Sequence, residues 1–165
     1  MALWRISRVM QIYIASPLGF SEIGRAFYYQ TLVPMLKAAG HDVIDPWALT
    51  DPALIDAIAT LPCGPPRVAA YRKLNQQIAK TNADAIDRCD AMLAVLDGVD
   101  IDSGTAAEIG YAYARGKPIM GYRGDFRLSS DNEGAIVNLQ VEYFIAASGG
   151  QIVAKIADVL VALRN

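Results

Sequence analysis

Ala91-Met92-Leu93-Ala94-Val95-Leu96 is an unbroken apolar run, and shortly after it comes Asp102-Ser103-Gly104-Thr105-Ala106-Ala107-Glu108-Ile109-Gly110. The first stretch reads as a strand buried on both faces, and the helical pattern from Ala106 to Arg115 reads as the helix beyond it. Between them lie Gly98 and Gly104, the carboxylates Asp100 and Asp102, and the hydroxyls Ser103 and Thr105. In an open α/β sheet, ligands bind outside the carboxyl ends of the strands, where such a loop sits. Glu108 is then placed in the first helical turn, where backbone N–H groups and the helix dipole favour an ionised carboxylate. Thr105-x-x-Glu108 is also the spacing of a capping box, in which the glutamate only satisfies a backbone donor. On this stretch alone both readings of Glu108 stand.

The flanking segments repeat the alternation of strand and helix. Val9 to Ala15 reads as a first strand, broken by Pro17 and Gly19. Ser21 then caps a helix carrying Ile23, Phe27, Leu32, Met35 and Leu36, with Gly40 at its end and a kink or break expected at Pro34. Asp42 to Asp45 is a short second strand with Pro46-Trp47 at its end; the tryptophan either stacks on a planar ligand or is plain packing. Leu61 to Pro66 reads as an irregular, rigid excursion, and Tyr71 to Arg88 as a helix. Pro118 to Tyr122 is a fourth strand, Asn138 to Ile145 is strand or short helix, and Ile152 to Leu163 reads as a last amphipathic helix. The expected fold is α/β: a three-layer sandwich with a parallel, flavodoxin- or Rossmann-like sheet of about five strands. Residues 1–165 read as one domain, without internal repeat or linker.

Composition narrows the function classes. Hydrophobic residues make up 53% and charged residues 19% of the 165, which describes a well-buried globular chain. A net charge of −2 gives no electrostatic reason to expect a nucleic acid polymer as partner. No apolar run reaches the length of a membrane span, and Met1 to Met10 lacks the apolar core and cleavage site of a secretory leader. Cys63 and Cys89 stand alone, without metal-ligand spacing, which fits a reduced, cytoplasmic setting. His41, the single histidine, is read as a solvated loop residue. Triad chemistry and histidine-rich metal sites are therefore poorly supported, and acid–base or nucleophilic work falls to carboxylates, tyrosines or hydroxyls. Neither G-x-G-x-x-G nor G-x-x-x-x-G-K-[ST] is present, so dinucleotide and P-loop readings are weak.

Three stretches taken together resemble the nucleoside 2-deoxyribosyltransferase family. They are Ile12-Tyr13-Ile14-Ala15-Ser16-Pro17, then Cys89 to Ala94 through Asp102 to Gly110 and on to Pro118, and Asn138-Leu139-Gln140. The resemblance implies that Glu108 is a nucleophile that attacks C1′ of a 2′-deoxynucleoside to form a deoxyribosyl ester. It implies that Tyr13 orients this carboxylate and that Asp102 acts at the sugar and base end of the pocket. Asn138 matches an asparagine that a neighbouring subunit contributes towards the sugar 5′-hydroxyl, which implies a homo-oligomer, dimer or hexamer, with shared sites. Ser16 and Gly104 fall within the matching motifs and are expected around the substrate, with Phe20 and Trp47 closing the pocket against water.

One position departs from the pattern. Where several members carry an aspartate that contacts the departing base, this chain has Asn82. An amide both donates and accepts but cannot deliver a proton as an acid does; Asn82 is expected at the substrate, with a solvated helix residue as the alternative reading. The implied reaction transfers 2-deoxyribose between nucleobases with retention, as in the double displacement of retaining glycosidases. It needs a deoxynucleoside and a free nucleobase, and neither metal nor cofactor. The rivals are a nucleoside 5′-monophosphate N-glycosidase and a non-catalytic nucleotide-binding module.

Overall fold

The structure, a computed structural model, describes residues 9–163. The reading of residues 1–10 as lacking a leader therefore falls mostly on positions outside that range. Five parallel strands run in the order β2-β1-β3-β4-β5: β1 Gln11–Ala15, β2 Asp42–Ile44, β3 Ala91–Val95, β4 Ile119–Tyr122 and β5 Ile152–Val153. Their connections carry α1 Glu22–Phe27, α2 Val33–Ala38, α3 Pro52–Ala59, α4 Pro65–Arg88, α5 Ser103–Ala114, α6 Leu139–Ala147 and, last, α7 Ile156–Ala162. This is a doubly wound, flavodoxin-like α/β fold. Chain order reverses between β1 and β3, so a crevice opens at their carboxyl ends.

The period of two along a strand sorts side chains into two cores. Ile12, Ile14, Leu93 and Val95 face one side, against Tyr28, Leu32, Leu36 and Val159. Tyr13, Ala15, Met92 and Ala94 face the other, against Ala85 and Ile86 of α4, Ile109 and Ala112 of α5, and Val141 and Ile145 of α6. The alternation that buries Ile12 and Ile14 on one face therefore directs Tyr13 at α5.

Several segments differ from expectation, each for a local reason. Pro34 does not end its helix, which runs on to Ala38, but the α-helical geometry is interrupted just ahead of it. The conflict is absorbed one turn earlier by a π turn, Tyr28–Leu32, in which the Tyr28 carbonyl accepts from the Val33 N–H. Pro65 and Pro66 are not irregular but open α4, because the first helical turn needs no intrahelical N–H donors. Residues 139–147 are helical, with Asn138 as the cap. The fifth strand is instead Ile152–Val153, the start of the expected last helix. Gly149, at φ +86°, turns the chain there, and a Cβ on Gly150 would lie 1.7 Å from the Ile119 carbonyl oxygen. His41 is buried rather than solvated, at 6% exposure, and its Nδ1 has no partner among the described residues. Cys63 is exposed and Cys89 buried, both free. Among the described residues no helix is long and apolar enough to cross a membrane.

Candidate active site

The helix that carries Glu108 starts earlier than its apolar pattern suggests. Asp102 is its cap: Oδ2 accepts from the Thr105 N–H at 2.9 Å and from the Thr105 hydroxyl at 3.2 Å. Glu108 is therefore the sixth helical residue, past the first turn, and it caps nothing. Its Oε1 accepts instead from the Tyr13 hydroxyl at 2.6 Å, across 95 residues of chain. The capping-box reading fails because a better cap lies three residues upstream of Thr105.

The expected electrostatics are corrected with it. Burial raises the Glu108 pKa above the ordinary carboxylate value; the Tyr13 hydrogen bond lowers it, and the nearby Asp102 raises it. A site beyond the first turn gains little from the dipole. Burial and the Glu108 charge push the Tyr13 phenol far above its usual value, so it remains a hydrogen-bond donor. With Oε1 engaged by Tyr13, Oε2 is the oxygen left for attack on an electrophilic carbon.

Glu108 lines a cavity of about 430 Å³ at the β1/β3 crevice, with Ser16, Phe20, Trp47, Asn82, Asp102 and Gly104 also in its wall. Seven of the nine expected site residues thus share one space, and Tyr13 reaches it through Glu108. Phe20 and Trp47 meet edge to face with centroids 4.7 Å apart. Ser16 is buried, its Oγ accepting from the Leu18 N–H at 3.0 Å. Asn82 is half-buried rather than fully solvated, and its Oδ1 is enclosed and has no partner among the described residues.

Asn138 lies elsewhere. It is exposed, its Oδ1 accepts from the Gln140 N–H at 3.0 Å, and it borders a separate polar cavity with Asp100 and Ser129. Arg123 and Arg127 do not line the Glu108 cavity either. Arg123 is buried and donates to the carbonyls of Leu96, Gly98 and Arg127, so it clamps two loops together. Arg127 pairs with Asp125. Tyr111 bonds to Asp87 and Tyr113 stacks on Phe144, both packing helices together.

Asn75, Ile78, Pro46 and Thr105 also line the cavity and are not among the expected site residues. For the α4 residues the signal was present: Asn75, Ile78 and Asn82 are spaced i, i+3, i+7, which puts them on one helical face. A larger cavity of about 580 Å³ beside β2 holds neither Glu108 nor Tyr13. Among the described residues no cluster of histidine, cysteine and carboxylate side chains is arranged to hold a metal ion.

Known proteins share this arrangement of strands and helices. The chain is 36% identical over 69 residues to an uncharacterized protein of Schizosaccharomyces pombe, a match that covers 39% of this chain and only 33% of that protein. A conserved protein from Enterococcus faecalis superposes with a TM-score of 0.65 at 26% identity, covering 94% of this chain and 98% of the other. A 2-desoxiribosyltransferase from Leishmania mexicana gives 0.62 at 23% identity, covering 92% and 94%. A CMP N-glycosidase from Clostridium botulinum gives 0.54 at 22% identity, covering 93% and 97%. The last two likenesses establish the shared fold. The family model for nucleoside 2-deoxyribosyltransferase matches residues 12–140, a span that takes in Tyr13, Glu108 and Asn138 alike. On that extent, the chain belongs to the nucleoside 2-deoxyribosyltransferase family.

Proposed function

We propose that this protein moves 2-deoxyribose from one nucleobase to another through an ester on Glu108. The observation that carries the reading is the 2.6 Å hydrogen bond from Tyr13 to a partly buried carboxylate that opens onto a cavity. Cleavage of an N-glycosidic bond develops positive charge at C1′, which an adjacent carboxylate stabilises and traps. Glu108 Oε2 forms the bond to C1′ as the C1′–N bond breaks, and the base departs with that electron pair and takes up a proton. A second base then attacks C1′ through nitrogen, the ester breaks, the incoming base loses a proton, and the carboxylate is restored. Two inversions retain the configuration at C1′.

Tyr13 orients Glu108 and fixes which oxygen attacks. Asp102 is the second carboxyl group in the wall; Oδ2 is held by Thr105, which leaves Oδ1 for the sugar or base. Phe20 and Trp47 supply apolar surface for the base and exclude the water that would divert transfer into hydrolysis. Ser16, Gly104 and Asn82 complete the substrate wall. Asn138 acts from a second copy of the chain, in keeping with its exposure and its separation from this cavity.

A nucleoside suits this wall better than a nucleotide. Among the described residues it is lined by two carboxyl groups, Asp102 and Glu108, and by no lysine, arginine or histidine. A phosphate dianion would meet like charge without a counter-ion. The test is to incubate the protein with thymidine and adenine and to follow products by chromatography. Deoxyadenosine is expected, with thymine released in equal amount. Thymine without deoxyadenosine would indicate a hydrolase, and faster base release from thymidine monophosphate than from thymidine would indicate a nucleotide N-glycosidase.

A further inference from the structure

We propose that Asp45 is a positioning residue that presets Trp47 as the base-facing wall of the site; this rests on the reading of the cavity as a nucleoside site. Asp45 lies just beyond β2 and caps the short turn Pro46–Ala48, its Oδ1 accepting from the Trp47 N–H at 3.0 Å. The same Oδ1 accepts from the Tyr28 hydroxyl at 2.9 Å, and Oδ2 accepts from the Tyr29 hydroxyl at 3.0 Å. One carboxylate thus joins two consecutive tyrosines to the backbone of a pocket residue.

Consecutive residues of a regular α-helix diverge by about 100°, so two neighbouring hydroxyls do not ordinarily reach one group. Here Tyr28 and Tyr29 open the π turn that Pro34 imposes, and their rings meet at 4.9 Å. The irregularity in the helix and the position of Trp47 are therefore one construction. Tyr28 is fully buried, and burial together with Asp45 raises its pKa strongly, which keeps the phenol a donor.

The opposite side of Trp47 is bounded as tightly. A Cβ on Gly19 would lie 2.2 Å from the indole Cε2, so the ring lies directly on glycine backbone. Trp47 nevertheless keeps 36% of its surface exposed, and Phe20, edge-on to it, keeps 73%. An aromatic pair held from behind and left open in front is arranged to stack a planar ligand. Because a base stacks on it both before and during bond cleavage, loss of its placement removes uniform binding, which raises KM and leaves kcat alone.

The test compares wild type with Tyr29→Phe, Asp45→Asn and Gly19→Ala, with thymidine as donor and adenine as acceptor. Tyr29 is half exposed, and its phenylalanine variant deletes only a hydroxyl, so folding is retained. KM for thymidine is expected to rise about threefold in Tyr29→Phe and about tenfold in Asp45→Asn, the size of one charge-assisted hydrogen bond, and about tenfold in Gly19→Ala, where the added methyl displaces the indole. The kcat is expected to stay within about twofold of wild type. In a Trp4→Phe background Trp47 is the sole tryptophan; its emission is expected to shift on thymidine binding, and less so in Asp45→Asn. Unchanged KM and emission in both Tyr29→Phe and Asp45→Asn, with an active wild type, would overturn the positioning role. A fall in kcat at constant KM would overturn it too. A wild type that neither binds nor turns over nucleosides would instead overturn the nucleoside reading beneath it.

Discussion

On the proposed mechanism the pair Tyr13–Glu108 sets the pH behaviour of the site. Burial makes Glu108 hold its proton more tightly than a free glutamate, so the ionised carboxylate, the proposed nucleophile, is lost as pH falls through a pKa above the ordinary value of about 4.3. The acid limb of kcat/KM is therefore expected above that value. Because the Tyr13 hydrogen bond lowers the Glu108 pKa, Tyr13→Phe is expected to move the limb to higher pH; an unmoved or lowered limb would contradict the contact. The same shift has a stability consequence of opposite use. A carboxyl group whose folded pKa is raised contributes stability that is present in acid, below the unfolded pKa, and lost as pH rises through the folded pKa. Glu108→Gln is thus expected to melt a few degrees higher than wild type at neutral pH, the difference vanishing at about pH 4, as measured by thermal unfolding. Such a trade of stability for a charged group is common at active sites.

Glycines mark where elements come closest. Gly150 passes within 1.7 Å, at its would-be Cβ, of the Ile119 carbonyl, where β5 joins the sheet through the Gly121 N–H to the Gln151 carbonyl at 2.9 Å. Gly150→Ala is expected to cost about 2–3 kcal/mol in chemical denaturation, since backbone rather than a flexible side chain must move. β5 itself was hidden in the sequence by its length and its setting. Ile152–Val153 is too short to show a strand period, and its apolar residues merge with those of the helix beyond. Long, doubly buried strands were legible: β1 and β3 track their apolar runs closely, and with them the β1/β3 crevice. Pro65 and Pro66 misled because a proline pair reads as irregular unless the helical residues downstream, from Val68 onward, are seen to continue from it. The π turn was invisible for a similar reason; Pro34 announces a conflict without stating where the chain absorbs it.

For the whole molecule, the candidate site was legible in its residue types and only partly in its geometry. Glu108, Tyr13, Asp102 and Trp47 are conspicuous by chemistry or motif, whereas Asn75, Ile78 and the Asp45 carboxylate depend on which face of α4 and which turn of the first helix meet the crevice. Asn138 belongs to a larger scale. Capping α6 within its own chain, it can serve another copy's cavity only if two chains assemble. Asn138→Ala is expected to cost about 1 kcal/mol through the lost cap and to lower transfer strongly. Mixed and reassembled with Glu108→Ala, it is expected to recover part of the activity, because some sites then combine an intact Glu108 with an intact Asn138. No recovery in a demonstrated mixed oligomer would place Asn138 outside the shared site. The covalent ester is the claim on which the catalytic expectations depend. The most direct measurement is the mass of the protein quenched in acid after incubation with thymidine and no acceptor base. A gain of one deoxyribosyl group, mapped to the peptide containing Glu108 and lost on adding adenine, is the expected result. Turnover without any adduct, or undiminished transfer by Glu108→Gln, would contradict it.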